Sequence, residues 1–62
     1  MSTTYILKVI SELEERIEYF DYQMELACRS GNTKRAKEME EHKKITEQSL
    51  NVIVKEMNNY GL

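Results

Sequence analysis

The 62-residue chain contains no proline and no tryptophan, and its only glycines are Gly31 and Gly61. Without proline, no position is barred from a helix interior on that account. With glycine confined to the middle and the far end, only those two places are marked as turns. The single cysteine, Cys28, excludes a disulfide framework within the chain. A lone thiol fits a reducing compartment, so the cytoplasm is the expected location. No apolar run approaches the roughly 18 residues a membrane-spanning helix needs. Residues 1–16 meet charge early, at Lys8 and Glu12, and lack the basic leader of a signal peptide. Basic residues do not outnumber acidic ones: the net charge is −2. That balance weighs against a general nucleic-acid binder, which carries a basic excess, and leaves room only for a local basic patch.

What is present is a repeat. In the first half, apolar residues fall at Ile6, Ile10, Leu13, Ile17, Phe20, Met24 and Ala27, an unbroken alternation of four and three. The second half continues the spacing at Ala36, Met39, Lys43, Thr46, Leu50, Ile53 and Met57. Folded at Gly31-Asn32, the two rows meet one another: Ala27 with Ala36, Met24 with Met39, Leu13 with Leu50, Ile10 with Ile53, Ile6 with Met57. A 3.5-residue repeat on two equal arms predicts an antiparallel helical pair. Helix 1 is expected over about 4–30, capped by Ser2 or Thr3, and helix 2 over about 33–60, capped by Asn32 or Thr33. Gly31 suits the left-handed residue that ends helix 1, and Gly61 with Leu62 reads as a similar ending to helix 2. The whole chain, 1–62, is one hairpin. An alternative pairs the strand formers of Tyr5 to Ile10 with Val52 to Val54 as a short sheet, with Ser11 and Glu14 as a capping box.

The middle of the seam is its weak part, since Phe20 faces Lys43 and Ile17 faces Thr46. Lys43 is expected to lay its methylenes on Phe20 and carry its ammonium outward. A seam so interrupted buries little apolar surface for a chain of this length, and short chains often turn to association. A second stripe offers the means. Tyr5, Tyr19, Tyr22 and Leu26 lie off the seam of helix 1, with Leu7 and Val9 near the open end; Ile45, Val52 and Val54 lie off the seam of helix 2. Tyr19 and Leu26 are one heptad apart, as are Ile45 and Val52. Aligned exposed apolar residues indicate a covered face. Tyr19, Tyr22, Leu26, Ile45 and Val52 are therefore the expected self-association or partner interface. The expected fold class is all-α: an antiparallel two-helix hairpin dimerising into a four-helix bundle.

Charged residues form two groups. Glu14, Asp21, Glu40 and Glu47 flank the seam on one edge, where no base is expected in register. Arg29, Lys34, Arg35 and Lys37 surround the turn. Positive residues in the first turns of helix 2 oppose its dipole, so an anion or an acidic partner is the functional reading of the tip. The single His42, near Glu38 and Glu41, lacks the Glu-x-x-His pattern of helical di-metal sites and is read as a flanking histidine beside Gln23. Cys28 is read as a packed thiol. No metal, no cofactor and no catalytic residues are expected, and the chain is not expected to be an enzyme. The function expected is that of a small protein-binding regulator or adaptor, self-associating as a homodimer, with a protein partner of unknown identity and no membrane. Small helical chains of bacteria and their phages supply the analogy. An RNA or nucleic-acid binder using the basic tip, and a structural assembly subunit, are the alternatives.

Overall fold

The computed structural model describes residues 3–61. They form two helices, α1 (Thr3–Arg29) and α2 (Thr33–Asn59), packed against each other along their length. Among the described residues there is no strand, so Tyr5 to Ile10 and Val52 to Val54 are helical and the short-sheet alternative falls. The reason is visible in the spacing: the three-four alternation runs through both segments without a slip, and neither glycine nor proline interrupts it.

The turn accounts for its own hydrogen bonds. Gly31 takes φ 75°, in the left-handed region that glycine enters without a Cβ penalty. Its N–H donates to the Cys28 carbonyl at 3.2 Å, and the Asn32 N–H donates to the Ala27 carbonyl at 2.8 Å. These are the two bonds of a Schellman ending, and they satisfy carbonyls that α1 would leave bare. Asn32 then turns to α2: its side-chain Oδ1 accepts from the Arg35 N–H at 3.1 Å, and its carbonyl accepts from the Ala36 N–H at 3.1 Å. Asn32, not Thr33, is thus the cap of α2. Gly61 repeats the left-handed geometry at φ 69° and donates to the Asn58 carbonyl. Thr3 is the first residue of α1 rather than its cap. The expected roles of Ser2 and Leu62 lie outside the described residues.

The seam is where the repeat places it. Every seam residue from Ile6 to Ala27 and from Ala36 to Met57 is buried or half-buried. Off the seam, only Val9 and Gln23 among the described residues share that protection. Full burial is scarce, however. Ala27 is 3 % exposed and Met39 is 8 % exposed, and both lie close to the turn. The molecule measures 45 × 16 × 12 Å, with a radius of gyration of 14.3 Å. A compact chain of this length would have a radius near ~10.6 Å. Two helices side by side have no third element to close over them.

Candidate functional site

The heptad divides the hairpin into two long faces. Residues just after Ile6, Leu13 and Phe20 in α1 point to one edge, where they meet their counterparts from α2. This edge carries Leu7 and Val54 at the open end, then Glu14, Asp21, Glu40 and Glu47. The four carboxylates are not without a base, as the sequence led us to expect. Lys43 reaches out of the seam and its Nζ lies 2.7 Å from Asp21 Oδ1. That hydrogen bond is the chief cause of a lysine pKa raised above its ordinary value; burial works against the rise, and the fields of Asp21, Glu47 and Glu40 add to it. The ammonium is held rather than released to water. Lys44 adds a longer ion pair to Glu40, 3.8 Å. Its side chain and Glu40's are well exposed, so this pair adds little to stability.

The other face is built from the residues that directly precede the seam. Its apolar members are Tyr5, Val9, Tyr19 and Leu26 in α1 and Ile45 and Val52 in α2, and Glu12, Arg16, Gln23, Arg35, Glu38, His42, Ser49 and Glu56 lie between and beside them. Because antiparallel arms bring like flanks together, both apolar rows fall on one side of the hairpin. Ile45 is 62 % exposed and Val52 is 60 % exposed; Tyr19 and Leu26 are exposed as well. Tyr22 is exposed and sits further round the helix, on the outer flank of this face. A layer of rings connects the two arms here. Phe20 stacks on His42, with centroids 5.5 Å apart and planes 20° from parallel, and meets Tyr19 edge to face at 5.8 Å. His42 is therefore the neighbour of Phe20. Gln23 accepts from Arg35 Nη2 at 3.3 Å. Near the open end, Tyr5, Ile6, Val9 and Ile53 line an apolar notch of about 220 Å³. Val9, half-buried although it stands off the seam, belongs to that lining.

The basic tip is partly spoken for. Arg29 Nη2 lies 2.6 Å from Glu25 Oε1, one turn back on its own helix. Arg35 bonds Gln23, while Lys34 and Lys37 stand exposed with no ion pair among the described residues. Helix α2 has no acidic residue in its first turn to offset them. Cys28 is exposed, not packed. It follows the seam residue Ala27 directly, so the same spacing that selects the seam leaves the thiol on the flank.

Among the described residues no three or more His, Cys, Asp or Glu side chains gather as metal ligands. No helix among them is long and apolar enough to cross a membrane. The chain matches no protein-family model, no curated protein and no solved structure. The described surface carries an acidic edge tied by a lysine, two rows of exposed apolar side chains on the other face, and a positive tip.

Proposed function

We propose that the chain is a small, non-enzymatic protein-binding regulator or adaptor, working in the cytoplasm through its helical surface as a homodimer. One observation carries this reading. Tyr19, Leu26, Ile45 and Val52 all lie exposed on one face, while full burial is limited to Ala27 and Met39. Single exposed apolar side chains are ordinary, but two aligned rows on one side indicate a surface that something covers. Covering it in a second hairpin makes a four-helix bundle, the usual way for paired helices to close a core.

The test begins with mass. Light scattering should give a dimer, and the melting temperature should rise with protein concentration, since association adds stability by mass action. Ile45→Asp combined with Val52→Lys should yield a monomer with much reduced helicity. A helical monomer whose melting ignores concentration would end the homodimer reading. The tip and the acidic edge would then be examined with immobilised protein and native lysate. A nucleic-acid or anionic ligand would show itself by steep loss of binding with salt. Two exposed lysines at the tip are the only support for that alternative, and the acidic edge opposes it.

A further inference from the structure

The seam has the same spacing read from either end. The repeat sets Ala27 opposite Ala36, Leu13 opposite Leu50 and Ile6 opposite Met57. The cross-arm contacts of Asp21 with Lys43 and of Phe20 with His42 keep that register. A mirrored seam makes no distinction between the two arms of one chain and the arms of two chains. If the turn ran on as helix, each α1 would find in a second copy the same α2 that it finds in its own chain. Exchange of identical elements between copies is a low-cost route to dimers, and the hinge loop governs it.

Here the hinge sets an angle. Ala27 is the last seam residue of α1 and Ala36 the first of α2, and Ala36 stands nine residues after Ala27. At about 3.6 residues per turn, nine residues make roughly two and a half turns. In a straightened chain the two seams would therefore lie on opposite sides of the rod. A partner lying along the seam of α1 would leave the seam of α2 bare, and a third chain would be needed to cover it. Contacts of that kind are head-to-tail and run on without closing. An interval of seven residues, about two turns, or of eleven, about three, would put both seams on one side. Two rods would then cover each other completely, since the mirrored spacing lets every seam pair form twice.

The turn itself favours the bent form. The Gly31 N–H reaches the Cys28 carbonyl and the Asn32 N–H the Ala27 carbonyl, bonds that exist only where the chain leaves the helix at a left-handed residue. Folded on itself, the seam closes a loop of only a few residues. Between chains it also gives up translational freedom.

We propose that the nine-residue interval confines this seam to a single chain: the hairpin is its one closed form, and an opened chain joins others only end to end. The proposal concerns the seam and not the exposed apolar rows, so the homodimer reading stands or falls separately. For an adaptor, the interval keeps both arms in one molecule however concentrated the protein becomes.

The interval can be altered directly. Gly31→Ala with Asn32→Ala leaves it at nine while removing the left-handed glycine and the cap, and alanine favours helix. Deleting Gly31 and Asn32 makes it seven. Adding two further alanines between the substituted positions makes it eleven. Light scattering gives the mass of each variant and small-angle X-ray scattering its length, over a wide range of concentration, with the parent protein as control. The seven- and eleven-residue variants should form discrete two-chain rods of about 80–90 Å at ~1.5 Å per residue, nearly twice the 45 Å of the hairpin. The double-alanine variant should give no such rod. It either stays as short as the hairpin or grows in mass with concentration without reaching a plateau. A rod from either realigned variant, with none from the double-alanine variant, supports the proposal. A discrete two-chain rod from the double-alanine variant would overturn it, and so would the absence of a rod from both realigned variants.

Discussion

Lys43 stands in the seam where the repeat calls for an apolar residue, and its side chain leaves by the acidic edge to meet Asp21. The consequence is a stability that depends on pH in one direction. A lysine whose pKa is raised in the folded state contributes fully below its unfolded value of about 10.4 and loses that contribution as pH climbs through the folded value. Parent and Lys43→Met proteins, compared by chemical denaturation from pH 8 upward, should differ by an amount that shifts against the parent only in strongly alkaline solution. A difference that stays flat through that range would mean the Asp21 contact has no energetic weight. The apolar end of the seam behaves differently. Leu13 and Ile53 are half-buried, so Leu13→Ala or Ile53→Ala should cost ~1–3 kcal/mol, below the range for a closed core. Thr46, which the repeat sets opposite Ile17, spends its hydroxyl on its own helix, donating to the His42 carbonyl at 2.8 Å. Thr46→Ile should therefore be neutral or stabilising. A large loss there would show that the facing pair is wrong.

At the scale of the elements, the turn is the decisive piece. Asn32 closes the end of α1 with its N–H and opens α2 with its side chain and carbonyl. Asn32→Ala should cost about 1 kcal/mol through the lost cap. Gly31→Ala should cost a similar ~1–2 kcal/mol, because a Cβ there meets no neighbour yet must adopt φ 75°. Thermal melts of the two variants check both figures. Much of this was legible beforehand. The seam, the turn and the left-handed glycine follow from spacing and from what glycine alone tolerates. The partners of long side chains were not. That the outward ammonium of Lys43 ends on Asp21, and that His42 stacks on Phe20, depends on rotamers that a heptad does not specify. The exposure of Cys28 was within reach of the spacing, and only the general habit of cysteine to be buried argued otherwise.

At the scale of the molecule, full burial is confined to the half of the seam nearer the turn, and the rest of the seam is half-buried. Ala27 and Met39, the two buried residues, lie beside the turn, while the far end holds the notch and the half-buried Ile6 and Met57. Amide hydrogen exchange should follow that difference, slowest in the turns nearest Ala27 and Met39 and fastest toward Thr3 and Asn59. Uniform exchange along both arms would mean the hairpin opens only as a unit.

The position of those two residues also bears on the order in which the chain comes together. Ala27 and Ala36 are separated by a short span of chain, and closing so small a loop takes little entropy and little time. Contact between the arms therefore begins where the sequence separation is least, and each later seam pair adds to a partner already held alongside. Ala36 and Met39 belong to the end of α2 that docks first. The hairpin is thus built to close from its hinge, because the pairs nearest the turn ask for the smallest loop.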